Sequence, residues 1–273
     1  MGQVVSIVNQ KGGVGKTTLT TGLASAAMAR GHRVLVVDLD PQGASTWVLG
    51  IEPSTVDGGV AKVLEGARGG ATKALQPSQW SHLVDVLPAS SRLQHLEVQR
   101  GGLEQLVGGR KPQRRLHAAL AEVTPAYGLV LIDCPPSLGD LTTSGLAASD
   151  KTLIVVEPSA LAVRGVGPVA DLIEETWSEL NGELDLAGVI VNRMARSIDA
   201  RAHRDVLARI VGESAVWEPA IPHRVVIAEA AAKRRPIHQM GARAADAIEV
   251  FDLLYDQLWE LIRPRRSTGR PRR

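Results

Sequence analysis

The stretch Val4-Val5-Ser6-Ile7-Val8-Asn9-Gln10-Lys11-Gly12-Gly13-Val14-Gly15-Lys16-Thr17-Thr18 decides the fold. A β-branched apolar run ends abruptly in glycines, a lysine and two threonines, and Thr18 to Arg30 follows with helical spacing interrupted only by Gly22. That order reads as strand, phosphate loop, helix. Gly12, Gly13 and Gly15 lack a Cβ, so the loop can take positive φ and turn successive N–H groups inward around phosphate oxygens, with Val14 and Thr18 completing the cradle. A helix beginning near Lys16 adds free N–H groups and the positive end of its dipole. In such a loop Lys16 reaches the β- and γ-phosphates of a nucleotide, and the Thr17 hydroxyl is placed to ligate Mg2+. The general pattern G-x-x-x-x-G-K-[ST] is modified here, because Gln10 replaces its first glycine and Lys11 follows directly.

Working outward, Arg33 to Asp38 reads as a strand apolar on both faces, as a buried parallel sheet demands, and runs into Asp38-Leu39-Asp40-Pro41-Gln42-Gly43. From about Ser45 to Arg110 the pattern weakens: a short helix near Asp57 to Leu64, a strand at Leu83 to Leu87 and a helix around Arg92 to Gln99, divided by glycine pairs. Order returns with a helix over Pro112 to Val123, a strand Leu129 to Asp133, a strand Lys151 to Val156 and a helix Val163 to Leu180. A strand Leu186 to Asn192, a helix Arg201 to Val211 and a short strand Ala215 to Trp217 follow, and Ile248, Phe251, Leu254, Tyr255, Leu258 and Ile262 mark a last helix over Ala242 to Ile262. Strands alternating with helices predict a doubly wound, mostly parallel α/β sheet flanked by helices. In such a sheet ligands sit beyond the carboxyl ends of the strands, where the glycine loop, Asp38, Asp133 and Asn192 all fall.

Length and composition agree with a single domain over residues 1–262, followed by a basic tail over 263–273 that reads as disordered. The chain has 273 residues, 44% hydrophobic and 22% charged, with only 3% aromatic, so the core is built from Val, Leu, Ile and Ala. Cys134 is the sole cysteine, which excludes an intrachain disulfide and any multi-thiolate metal site, and points to a reducing cytoplasm. No apolar run approaches the length of a membrane span and the N-terminus lacks the pattern of a signal peptide. The net charge is +2, yet the last eleven residues hold six arginines and no acid, leaving the first 262 residues at −4.

Asp133, closing Leu129-Val130-Leu131-Ile132, has the position of a carboxylate that holds Mg2+ opposite Thr17. Phosphoryl transfer asks mainly for positioning and charge stabilisation, which a carboxylate near the water and lysines on the phosphates can supply. Val191-Asn192-Arg193-Met194 ends a strand without the aspartate of the guanine-reading N-K-x-D pattern, so guanine is disfavoured.

K-G-G-V-G-K-T-T, D-L-D-P-Q-G, L-I-D-C-P-P-S-L, V-N-R and I-P-H-R-V-V-I-A-E-A followed by R-R-P-I together resemble the ParA/MinD superfamily of deviant Walker A ATPases over nearly the whole chain, most like short, chromosomal-type ParA and Soj partition proteins. The resemblance implies a P-loop NTPase fold of the SIMIBI type and a slow, partner-stimulated ATPase using ATP and Mg2+. It further implies that Lys11 reaches across a dimer interface to the partner's nucleotide, that Asp40 orients the attacking water with Asp38 near the metal, and that Asn192 contacts adenine while backbone at Ile221 and Pro222 closes over the ring. By the same resemblance the protein forms ATP-dependent homodimers, binds DNA without sequence preference in a cytoplasmic, nucleoid-associated setting, and releases it when a ParB-like partner stimulates hydrolysis, to partition a chromosome or plasmid or position another cargo. The DNA-reading extension of larger plasmid relatives has no counterpart ahead of the first strand. Arg224, Lys233, Arg234 and Arg235 are the candidate DNA contacts, with Arg201, Arg204 and the tail as weaker ones. Where relatives carry I-P-R-N-V-R this chain has Val226 in place of an arginine. The rival reading is a MinD-like membrane-cycling ATPase that places the division site, but the tail lacks apolar anchors beside its arginines, and no membrane association is expected.

Overall fold

A computed structural model describes residues 2–97 and 102–263, with only the backbone of 160–164. The opening apolar run forms β1 (Gln3–Val8), and α1 (Lys16–Ala29) follows the glycine loop. Then come β2 (Val34–Asp38), α2 (Ala44–Val48), β3 (Gln76–Pro77), β4 (Val84–Leu87), β5 (Leu129–Asp133), β6 (Lys151–Val156), β7 (Asp185–Val191) and β8 (Val216–Trp217). They make one eight-stranded sheet in the order β3-β4-β2-β5-β1-β6-β7-β8, parallel throughout except for the antiparallel β3–β4 pair. The expected doubly wound, mostly parallel sheet is therefore the observed one.

Strand alternation divides the core into two layers. Val5, Ile7, Val34, Val36, Leu129 and Leu131 face α1 and the C-terminal helix Ala245–Ile262, whereas Val4, Val8, Leu35, Val37, Val130 and Ile132 face the helices of the opposite side. Because both faces are covered, the strands carry the continuous Val, Leu and Ile runs read in the sequence. Register places Ile7 beside Asp133 and Asp38 beside Asp133, so the ends of β1, β2 and β5 lie side by side.

Several elements differ from the sequence expectation. The segment beginning at Pro112 opens as a 3-10 turn and becomes α-helical only over Arg115–Ala121. The helix expected over Arg92 to Gln99 is the four-residue Leu93–Leu96, its last two expected positions lying outside the described residues. The helix Asp140–Ala147 has no sequence signal, because Leu-Thr-Thr-Ser-Gly is a poor helix former. There the hydroxyls of Thr143 and Ser144 return hydrogen bonds to carbonyls four residues back, which lets these polar side chains be buried. The helix Val225–Ala232 also goes unassigned in the sequence, since three β-branched residues open it.

α1 packs on the C-terminal helix through an unusually close contact. A Cβ at Gly22 would lie 2.1 Å from Phe251 Cε1, within a ring that is itself buried. Helix propensity alone favours Gly22→Ala by about 1 kcal/mol, but overpacking costs about 1–3 kcal/mol. Gly22→Ala is expected to lower the thermal midpoint, and Phe251→Leu in the same chain to recover part of the loss; a stabilised single variant would contradict this packing.

Candidate functional site

The site is assembled at the carboxyl ends of β1, β2, β5, β6 and β7. After β1 the loop is organised by Asn9, whose Nδ2 donates to Val155 O at 2.5 Å while its Oδ1 accepts the Lys11 N–H at 2.8 Å. Gly13 and Gly15 take φ of 77° and 99°. At Gly15 the requirement is steric as well as torsional, because a Cβ there would meet Asn192 Nδ2 at 1.8 Å. That amide donates to Val14 O at 2.7 Å, so Asn192 braces the phosphate loop from the end of β7. Pro222 lies beside it through a parallel bridge to Met194.

Lys16 is buried and its ammonium hangs over the loop's own carbonyls, 3.3 Å from Asn9 O and 3.4 Å from Lys11 O. Burial lowers its pKa, with Asp133 and Asp40 acting against the shift. Weak carbonyl partners for a buried cation leave it poised for stronger acceptors in the loop's concavity.

Three carboxylates with different burial cluster at these strand ends, and Asp133 and Asp40 act on the Lys16 charge. Asp133 Oδ2 accepts hydrogen bonds from Thr17 Oγ1 at 2.6 Å and from Ser45 Oγ, whereas Oδ1 is buried with no partner among the described residues. Asp38 accepts from Thr46 N–H and Thr46 Oγ1, both at 2.7 Å, and from the Asp40 N–H at 3.1 Å. Asp40 is the least buried of the three, and its Oδ1 caps the turn through the Gln42 N–H at 2.9 Å. Burial, followed by the neighbouring Asp133, pushes Asp38 up to about 8; burial likewise raises Asp133 to about 6 against the hydroxyls of Ser45 and Thr17. Two acids buried side by side resist double ionisation. The partnerless Asp133 Oδ1, the adjacent Thr17 hydroxyl and an all-oxygen donor set suit Mg2+, a hard cation held by one or two carboxylates together with water and phosphate.

Ser45, Thr46 and Asn9 escape the sequence reading. The signal for the first two was available only as Ala44-Ser45-Thr46 closing the acidic loop; which carboxylate each hydroxyl meets depends on where α2 packs.

The basic candidates are dispersed by their partners. Arg224 pairs with Asp246, Lys233 with Glu229 and Arg204 with Asp205 and Glu218, while Arg201 is exposed. Arg234 turns inward with φ 53°, donates from Nε to Trp47 O at 2.6 Å and lies 5.2 Å over the Trp47 ring. Arg235 is exposed at the mouth of a small cavity that Thr17 and Thr18 also line. Val226 is buried, and the exposed apolar residue of that turn is Val225 at 72%. The arginine tail beyond Arg263 lies outside the described residues.

Residues 2–186 match the family model described as an AAA domain. The chain is 33% identical over 259 residues to the sporulation initiation inhibitor protein Soj of Bacillus subtilis, covering 93% of this chain and 97% of Soj. Among solved structures, a Mycobacterium smegmatis protein described as cobyrinic acid a,c-diamide synthase, with bound ADP and magnesium, superposes with a TM-score of 0.77 at 29% identity over 94% of each chain. The cell division ATPase MinD of Pyrococcus furiosus superposes with a TM-score of 0.75 at 25% identity, over 96% of this chain and 100% of MinD. With a family model matched over more than half its length and a relative aligned almost end to end, the chain belongs to the ParA/MinD family of P-loop ATPases.

Proposed function

We propose that two copies of this chain clasp a pair of Mg2+–ATP units between them, bind DNA without sequence preference in that state, and part when a ParB-like partner stimulates hydrolysis. The observation that carries the proposal is the convergence of the Lys16 ammonium, the Thr17–Asp133 pair with its partnerless oxygen, and the more open Asp40 on one glycine loop. The loop N–H groups from Gly12 to Thr18 hold the phosphates, and Lys16 exchanges its carbonyl partners for the β- and γ-phosphate oxygens. Thr17 and Asp133, with Asp38 behind them, would hold Mg2+, which neutralises charge on those oxygens. Asp40 orients water in line with the γ-phosphorus as the bond to the bridging oxygen breaks, and Lys11 from the other copy meets the charge that develops there. Asn192 and the backbone at Pro222 flank the base.

In this reading nucleotide acts by supplying contacts that only the pair can make, so hydrolysis removes the differential stabilisation of the pair. Partition of a chromosome or plasmid, or positioning of another cargo, in a cytoplasmic, nucleoid-associated setting is the biological role it supports. The apolar face of the last described helix, with Phe251, Leu254, Tyr255, Leu258 and Ile262, is buried in the core, and no described helix is long and apolar enough to cross a membrane.

Arg235 is the more available DNA contact, since Arg224, Lys233 and Arg234 must first leave Asp246, Glu229 and Trp47. Polarisation titrations on random duplex should show binding that requires Mg2+–ATP and falls steeply with salt, with a shallower salt slope for Arg235→Ala. No salt-sensitive binding at low ionic strength would rule out the DNA role.

The raised Asp38 carries a sign that can be checked in the nucleotide-free protein. A folded-state pKa of about 8, far above an unfolded carboxylate near 4, means the folded chain holds a proton that the unfolded chain has released. Stability must therefore decline as pH rises from about 4 to 8, by up to about 1.4 kcal/mol per pH unit for one proton. Between pH 7 and pH 8, above the value of about 6 to which Asp133 is raised, thermal midpoints of the parent should fall more steeply than those of Asp38→Ala. Equal slopes would contradict the buried, protonated Asp38.

A further inference from the structure

Glu157 follows directly on β6, and its carboxylate joins two cations from neighbouring strand ends. Oε1 accepts from Arg193 Nη1 at 2.6 Å, and Oε2 lies 3.4 Å from Lys11 Nζ. Lys11 sits in the loop after β1, which pairs with β6, and Arg193 lies just past β7, which pairs with β6 on its other side. The Lys11 backbone is fixed at both ends, by its N–H on Asn9 Oδ1 and by its carbonyl under Lys16 Nζ. Its side chain is 48% exposed, whereas that of Glu157 is 21% exposed.

We propose that Glu157 is a latch that holds Lys11 within its own protomer, and that Arg193 sets the strength of the latch by sharing the same carboxylate. The proposal rests on the reading above, in which Lys11 serves the nucleotide of a second copy. One ammonium cannot sit on Glu157 and on another molecule's phosphate together, so every latch opposes pairing by its own strength. A half-exposed ion pair is weak enough for a triphosphate to outcompete. Each pair of molecules opens two latches, and the effect on pairing is squared. If Lys11 were the only cation, its departure would leave a partly buried carboxylate without a partner; the Arg193 bond remains and keeps that charge compensated. Glu157 and Arg193 are thus positioning residues for Lys11.

Two measurements test this. The first is acylation of Lys11 by an amine-reactive ester in the nucleotide-free protein, read by peptide mass spectrometry, which needs neither nucleotide nor a second copy. Glu157→Gln is expected to speed labelling of Lys11 and Arg193→Gln to slow it, with other lysines unchanged. The second is the dissociation constant of the pair in saturating non-hydrolysable ATP analogue and Mg2+, by sedimentation. Glu157→Gln should tighten pairing by about two- to thirtyfold, from two exposed ion pairs, and Arg193→Gln should weaken it. In the Glu157→Gln background Arg193→Gln should then have no further effect, since its influence passes through Glu157; a general charge effect would instead be additive. Unchanged Lys11 labelling in Glu157→Gln, or a full Arg193→Gln effect in that background, would overturn the latch. Should Lys11→Ala pair as the parent does, the cross-subunit reading fails while the labelling still reports on the latch.

Discussion

Two carboxylates buried side by side at the ends of adjacent parallel strands are the constraint on which the site depends. Register sets Asp38 opposite Asp133, and neither side chain reaches solvent. Placing both charges in that environment without a cation is costly, so burial raises the pKa of both acids, and hydroxyl and amide donors surround them. Yet one oxygen of Asp133 has no partner among the described residues. Such an arrangement is satisfied best by a divalent cation, and the rest of the geometry follows from where that cation and its phosphates would lie.

The sheet topology is what brings the parts together. β5 inserts between β1 and β2, so the strand bearing Asp133 lies between the glycine loop and the acidic loop. α2 then returns Ser45 to Asp133 and Thr46 to Asp38, tying the acidic loop to both acids. On the other side β6 and β7 deliver Glu157, Asn192 and Arg193 to the loop's far edge. Thus the two halves of the sheet hold the glycine loop between the side that carries Asp38 and Asp133 and a side whose Asn192 braces the loop and whose Glu157 meets Lys11.

The sequence made much of this legible where the determinants are local. Leu129–Asp133 and Lys151–Val156 form strands with the bounds their apolar runs predict, because burial on both faces leaves no ambiguity of period. The glycines, Lys16, Thr17, Asp38 and Asp133 are placed by chain-local rules and converge as expected. What stayed hidden depends on distant partners. Nothing near Ser45 says that it will meet Asp133, and nothing near Glu157 says that it will collect Lys11 and Arg193. The Lys233-Arg234-Arg235 run is visible as charge, but only packing turns Arg234 away onto Trp47. The helix Asp140–Ala147 was illegible for a related reason: its weak helix formers are held by burial and by hydroxyl bonds to its own backbone.

The central claim is that each active site is completed by a lysine from another molecule. Mixing two inactive variants tests it most directly. Lys11→Ala retains its own Asp40 but lends no lysine, and Asp40→Ala lends a lysine but cannot orient water. In a mixed pair the nucleotide held by the Lys11→Ala chain has both groups, so combining the two should restore hydrolysis that neither shows alone, up to one working site per mixed pair. If the mixture stays as inactive as its components while mixed pairs form, or if Lys11→Ala alone hydrolyses ATP as the parent does, the account is wrong.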